Sequence, residues 1–328
     1  MKLIMPVFWH KKHIVSYFFL PLSLLYWILF GLKKMFSRPV SFNKVTITIG
    51  NVTVGGAGKT PTALLIEKLL KSADISSVFL TRGYLGDLVG PEIVKDNSAV
   101  KDVGDEALLL SNQAKTIVSK KKYLAKNIVD NVDSDCVIMD DGLQNFRIVH
   151  HIRILVIDTS FMFGNGFLIP AGPLRQGYRS AMQKADYIFY VGDADVPLKL
   201  DCYDKYSSKS FIAKIEGKKN IKKENGYFAF SGISNNRKFF NSLKDHDYSV
   251  YKVKEFPDHY DYGDEDIEDL IKMAGNLRLI TTSKDMVKIP KKYHEKIIEF
   301  KIELKLTREK EFLDSLKKKV KPNINTDL

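Results

Sequence analysis

The chain has 328 residues, 45% of them hydrophobic and 27% charged, enough apolar material for one large domain or two, which excludes a disordered chain. A formal net charge of +12 turns the surface toward anionic partners: nucleic acid, phosphorylated substrates or acidic lipid headgroups. The two cysteines, Cys136 and Cys202, form no spaced cluster, which argues against a disulfide framework and a thiolate zinc site.

The first element is apolar. Between Lys12-His13 and Lys33-Lys34 the run from Ile14 to Leu32 carries no charge and is long enough to cross a hydrocarbon layer. Pro21 is tolerated in a spanning helix and equally suits one lying in the interface. A cleaved signal peptide fits poorly, because no small-residue cleavage site follows. The plain alternative is a buried core helix. Residues 1–37 are read as a membrane-associating helix.

From Val45 short apolar runs end in turn or acidic residues and alternate with helical stretches: Val45–Gly50, Ser77–Thr81, Asp135–Asp140, Ile152–Asp158 and Tyr187–Gly192. That rhythm predicts an α/β fold of the P-loop NTPase type, with a mostly parallel sheet over residues 38–214 and functional loops at the carboxyl ends of its strands. The polar stretch 215–226 reads as a linker region. A new pattern, Tyr227–Gly232 and Arg278–Thr282, then starts a smaller C-terminal α/β domain over 227–328. Near the end, Phe312, Leu313, Leu316 and Val320 give a short amphipathic helix with a basic finish.

The loop T53-V-G-G-A-G-K-T60 sits between the first of these strands and a helix predicted over about residues 60–71. A phosphate cradle needs backbone N–H groups converging from a tight turn onto an anion at a helix N-terminus. Thr53, Val54, Gly55, Gly56, Ala57, Gly58, Lys59 and Thr60 supply it. Lys59 would reach the β- and γ-phosphates of a nucleoside triphosphate and Thr60 would offer its hydroxyl to Mg²⁺. Pro61 fits the first helical turn. The irregular letter is Thr53, where the usual pattern begins with glycine; an extended threonine there bends the loop differently without abolishing it. The bland reading is an ordinary glycine turn.

Magnesium chemistry asks for an acidic residue ending a neighbouring strand, and Asp140 or Asp141 provides one. Asp158 has the same form, and such aspartates are often only helix caps. For the acceptor's proton, the loop candidates are Asp105 and Glu106 in V103-G-D-E106 and His259 in F256-P-D-H259. Each has a capping or surface role as its plain alternative. Arg175 ends a proline- and glycine-shaped loop and could clamp a transferring phosphate.

The ordered series G50-N-V-T53, Gly55 to Pro61, T81-R-G-Y84, V103-G-D-E106, D140-D-G-L-Q144, G164-N-G-F-L-I-P-A-G-P-L-R175, F230-S-G-I233, F256-P-D-H259 and S283-K-D285 resembles the tetraacyldisaccharide 4′-kinase family of lipid A biosynthesis. The resemblance implies an ATP-dependent kinase at the cytoplasmic face of a bacterial inner membrane. Its acceptor would be the 4′-hydroxyl of an acylated glucosamine disaccharide 1-phosphate, and its product lipid IVA. It implies two α/β domains joined by a small linker, with Asp105 and His259 as the pair activating the acceptor, in either division of labour. Asp140, Asp141 and Glu106 would surround Mg²⁺, Arg175 would lie near the phosphates, and Arg82 and Tyr84 would face the lipid headgroup. Leu85 stands where the family pattern has glycine, Asn145 where it often has histidine, Gln176 where it has an acidic residue and Ser283 where it has glutamate.

An anionic membrane surface is the expected second partner; neither nucleic acid nor an obligate protein partner is inferred. One rival is a membrane-associated partitioning or targeting ATPase switch, whose signature lysine would fall at Val54. The other is a nucleic-acid-dependent ATPase, which no aromatic recognition motif supports.

Overall fold

A computed structural model describes residues 5–192, 203–217, 226–233 and 235–321. In chain order its strands are β1 (Val45–Gly50), β2 (Ser77–Thr81), β3 (Glu92–Ile93), β4 (Thr116–Val118), β5 (Cys136–Met139), β6 (Ile152–Asp158), β7 (Tyr187–Val191), β8 (Ser210–Gly217), β9 (Tyr227–Ser231), β10 (Val250–Glu255), β11 (Arg278–Thr282), β12 (Ile297–Phe300) and β13 (Ile302–Leu306). Nine of them form one sheet in the order β13-β8-β7-β6-β1-β5-β2-β4-β3, and four form a second in the order β10-β9-β11-β12. The interior pairings of the larger sheet are parallel; only the edge strands β13 and β3 run antiparallel to their neighbours.

The central strands are buried on both faces, which is why Val45–Gly50 and Cys136–Met139 read as apolar or β-branched runs without polar alternation. The helix Lys59–Lys71 follows β1 and covers one face with Ala63, Ile66 and Leu70. Val78, Leu80 and Met139 belong to the core on the opposite face. The smaller sheet is wholly parallel and likewise has a core on each side.

The chain does not end in the smaller unit. After Phe300 it returns, β13 pairing with β8 and the helix Glu309–Val320 burying Phe312, Leu316 and Val320 in the core that also holds Ile66 and Leu70. This corrects the reading of 227–328 as one C-terminal domain. Leu304 and Leu306 alternate with polar residues, and the apolar partner for that face lies at the edge of the larger sheet. Similarly β8 runs through Gly217, beyond the expected boundary at 214, while residues 218–225 of the expected linker lie outside the described residues.

At the other end, the apolar run is two helices, Ile14–Phe18 and Leu20–Met35, with Pro21 in the first turn of the second. Sixteen residues reach about 24 Å, and among the described residues no helix is long and apolar enough to cross a membrane. It is not a core helix either. Leu22, Leu24, Leu25, Trp27 and Leu29 are exposed, whereas the small polar residues Ser16 and Ser23 are buried. Those two face the protein because they bond it: Ser23 Oγ donates to the Leu168 carbonyl at 2.9 Å, and Asn165 Nδ2 donates to Ser16 Oγ at 3.1 Å and to the Phe8 carbonyl at 2.8 Å.

Candidate active site

All predicted site residues of the larger unit lie at the carboxyl ends of its parallel strands, where an open α/β sheet binds its ligands. The loop after β1 is held from within by Asn51, whose Nδ2 donates to the Thr53 carbonyl at 2.9 Å and to Thr53 Oγ1 at 3.1 Å. Thr53 forms an antiparallel bridge with Leu174, flanked by Val54 N–H to the Pro173 carbonyl at 2.9 Å and Arg175 N–H to the Val52 carbonyl at 2.7 Å. A residue in such a bridge needs no glycine, so the irregular first letter is a strand position. Gly55 and Gly58 do need theirs, at φ +103° and +82°; a Cβ on Gly58 would also meet Val191 at 3.1 Å. Gly58 caps the helix that starts with Lys59, so the N-terminal amides of that helix open onto the loop.

Thr60 Oγ1 donates to Asp140 Oδ2 at 3.1 Å. The other oxygen of this buried carboxylate, Oδ1, has no hydrogen-bond partner in the protein. Burial first, then the negative charge of Glu106, push the Asp140 carboxyl up to about 6, although Lys59 and Lys122 pull the other way. A buried carboxylate with one orphaned oxygen beside a threonine hydroxyl fits a divalent cation. Magnesium, an ion that keeps several waters and takes few protein ligands, matches a donor set of one carboxylate and one hydroxyl.

Asp141 is placed differently. Its carboxylate lies 3.7 Å from Lys59 Nζ and 3.4 Å from Arg175 Nη1, and burial, which would raise it, is outweighed by these two cations and Lys122. Its backbone takes the left-handed region at φ +49°, and its carboxylate meets Lys59 of the phosphate loop. Asp141 thus gathers Lys59 and Arg175 at one place. Glu106 is 3.5 Å from Lys284 Nζ, and its influence on Asp140 is through charge.

The smaller unit contributes the other half. Asp105 Oδ2 lies 2.8 Å from His259 Nδ1, and its Oδ1 accepts from the Glu106 N–H at 2.8 Å. Asp105 is buried, yet its carboxyl sits below the ordinary range: the His259 hydrogen bond and the positive charge of Lys284 outweigh burial, the largest single influence. His259 takes a left-handed backbone at φ +58°, held by its N–H to the Gly232 carbonyl at 3.0 Å. Tyr84 packs edge-on against its ring, with centroids 5.3 Å apart, and is exposed; Arg82 is exposed in the same loop. A Cβ on Gly104 would stand 2.3 Å from the Tyr84 carbonyl, so only glycine lets this loop nest against the Asp105 turn.

Three contributors escape a reading of the sequence. Asn51 lies two residues before the cradle motif. Lys122 closes the run Lys120-Lys121-Lys122, which reads as a solvated patch, yet it is buried and donates to the backbone carbonyls of Asp140 and Asp141. Burial lowers it to about 8, against the pull of Asp140 and Asp141. Lys284 stands 3.5 Å from His259 Nε2 and 3.8 Å from Asp105 Oδ2. Its only signal is the S283-K-D285 string.

The sequence profile of the LpxK family, described as tetraacyldisaccharide-1-P 4′-kinase, matches residues 15–321. The chain belongs to the tetraacyldisaccharide 4′-kinase family. Curated relatives include the tetraacyldisaccharide 4′-kinases of Rickettsia canadensis, 39% identical over 88% of this chain and 89% of the relative, and of Rickettsia bellii, 39% identical over 88% and 90%. The fold agrees with the solved "apo" form of LpxK from Aquifex aeolicus in complex with ATP, at a TM-score of 0.78 and 24% identity over 94% of this chain and all of that one. Membership of the 4′-kinase family makes the chain an ATP-dependent kinase of lipid A biosynthesis.

Proposed function

We infer that this kinase transfers the γ-phosphoryl group of ATP to the 4′-hydroxyl of a tetraacylated glucosamine disaccharide 1-phosphate lying in an anionic bilayer, at the cytoplasmic face of the inner membrane. The observation that supports this reading is the 2.8 Å contact between Asp105 of the larger unit and His259 of the smaller, a carboxylate–imidazole pair suited to take up the acceptor's proton.

Residues 53–60 bind the triphosphate through loop amides and Lys59. Thr60 Oγ1 and the Asp140 carboxylate would hold Mg²⁺, whose chemistry is to neutralise charge on the phosphate oxygens. Lys59 and Arg175, already collected by Asp141, give up that carboxylate for phosphate oxygens and hold the transferring group in line. Both Asp105 oxygens are engaged, Oδ2 by the His259 ring and Oδ1 by an amide. His259 therefore carries its proton on Nδ1 and presents the Nε2 lone pair. As the 4′-oxygen bonds to phosphorus, its proton passes to Nε2, the bridging bond to the β-phosphate breaks, and ADP leaves with that electron pair. Asp105 orients the ring and stabilises the imidazolium.

The membrane partner is supported by the exposed leucines and Trp27 of Leu20–Met35, with Lys33 and Lys34 in the last turn of that helix, a composition suited to a helix lying at an anionic interface. Tyr84, exposed and packed on the His259 ring, and Arg82, exposed in the same loop, are the residues we assign to the disaccharide. The test incubates the full chain with labelled ATP and vesicles containing the acceptor; a labelled lipid phosphomonoester is expected, and label released only as inorganic phosphate would overturn the reading.

A further inference from the structure

The short helix Ser283–Met286, immediately after β11, packs against the helix Asp105–Ser111 of the larger unit. Lys284 and Lys288 extend from this turn to opposite tasks. Lys288 is buried, 2.8 Å from the buried Asp285, and Asp285 Oδ1 also accepts the Gly232 N–H at 3.0 Å and the Tyr262 hydroxyl at 3.1 Å. That pair builds the floor under His259, because Gly232 in turn accepts the His259 N–H. Lys284 instead crosses the cleft. Its Nζ is 3.5 Å from His259 Nε2, 3.8 Å from Asp105 Oδ2 and 3.5 Å from Glu106 Oε1.

We propose that Lys284 is a positioning residue for phosphoryl transfer, fixing the tautomer of His259 and screening the Asp105–Glu106 carboxylates from the incoming phosphates. This rests on the kinase reading above.

An ammonium has donors only, so it can bond Nε2 only when that nitrogen holds a lone pair and the ring proton is on Nδ1, facing Asp105. The same contact marks where the acceptor hydroxyl must arrive. When the hydroxyl takes Nε2, the ammonium keeps Glu106 and Asp105, both already within 4 Å, so it needs no large movement. Its charge also matters in sum. Asp105 and Asp258 flank the imidazole and Glu106 faces Lys284, so without Lys284 three carboxylates would face a triphosphate that carries several negative charges. Burial would make Lys284 give up its proton, but Asp105 and Glu106 outweigh it and keep the group charged.

A cross-cleft ion pair with a purely structural role would change stability slightly and catalysis not at all. The experiment therefore measures kcat, the KM for each substrate and ATP affinity for the full chain and for Lys284→Met, Lys284→Arg and Lys284→Ala, the last with and without ethylammonium. Expected is a fall in kcat of about 100-fold for Lys284→Met, with ATP affinity within a few fold, a partial return in Lys284→Arg, and a dose-dependent return when ethylammonium is supplied to Lys284→Ala. The amine arm keeps the test decisive if Lys284→Met folds poorly. A folded Lys284→Met protein with kcat within about threefold of wild type, or a loss that neither arginine nor amine relieves, would overturn the proposal. Absence of transfer by the wild-type protein under the same conditions would instead overturn the kinase reading itself.

Discussion

Asp105 and His259 are 154 positions apart in the chain and meet at 2.8 Å. Neither unit holds both: Asp105 opens a helix on the larger sheet, His259 sits in a loop after β10 of the smaller one, and the dyad exists only where they face each other. Asp105→Asn keeps the shape but leaves one acceptor oxygen for the two N–H groups that the carboxylate accepts, His259 Nδ1–H and the Glu106 amide. We expect kcat to fall by about 10²–10⁴ while ATP affinity changes by a few fold at most. Steady-state kinetics alongside calorimetric nucleotide binding check this; full activity would remove Asp105 from the reaction.

Asp140 gives a pH dependence with a definite sign. Its folded-state value, about 6, lies above the ordinary carboxylate value of 3.8, so between those limits the folded protein binds more protons than the unfolded chain. The stability this contributes is present below about pH 4 and is lost as pH rises through about 6, on the order of 3 kcal/mol. Asp140→Asn removes the loss, so in metal-free buffer the variant gains stability relative to wild type on going from pH 4 to pH 7. Urea titrations at both pH values read the difference. The same variant is expected to lose magnesium-dependent ATP binding; parallel pH profiles for the two proteins would contradict the burial argument.

Leu85 illustrates how a departure from the family pattern acquires a physical meaning. It sits exposed at φ +61°, in the left-handed region that costs a leucine about 1–2 kcal/mol and that glycine adopts freely. Leu85→Gly should raise stability by up to about 1 kcal/mol after the added freedom of the unfolded chain is subtracted. A loss of that size in a urea titration would show that the leucine side chain makes a compensating contact.

The exposed apolar face of Leu20–Met35 predicts a lipid-dependent effect. Leu24→Glu combined with Trp27→Glu should reduce activity toward vesicle-embedded acceptor by about tenfold or more, given roughly 1.5–3 kcal/mol per buried large side chain. Activity toward detergent-dispersed acceptor and ATP affinity should stay near wild type. Equal loss in detergent would place the effect in the fold rather than at a membrane.

Much of this arrangement is legible in the chain because its signals are local. Strands β1, β2, β5, β6, β7, β9 and β11 announce themselves as apolar runs with a turn or acidic residue beyond, and the cradle is legible because glycine spacing, lysine and threonine are each required by phosphate chemistry. What stays hidden depends on distant pairing. The three residues Thr116–Val118 are too short to show a period, and Ile302–Leu306 alternates like any edge strand without revealing which sheet it joins. Lys122 looks solvated because nothing nearby in sequence discloses the aspartate carbonyls that it meets. The run Ile14–Leu32 suggests one long helix, since hydropathy does not register the break at Phe19 or the bonds that Ser16 and Ser23 make to a loop about 150 residues away. The pairing of Asp105 with His259 is legible only through the resemblance to the family; the residues alone offer each as a separate candidate for the acceptor's proton, with a capping or surface role as its alternative.

The central claim is that the phosphoryl group travels from the loop at Lys59 to a sugar oxygen activated by His259. The most direct measurement is phosphorus NMR of the lipid product made by the wild-type chain and by His259→Gln under single-turnover conditions with excess enzyme. The account predicts a new phosphomonoester on the 4′-oxygen for wild type, formed at least about 100-fold more slowly by the variant, with both proteins binding ATP equally. ATP turnover without any new lipid phosphate, or transfer at an unchanged rate in His259→Gln, would contradict it.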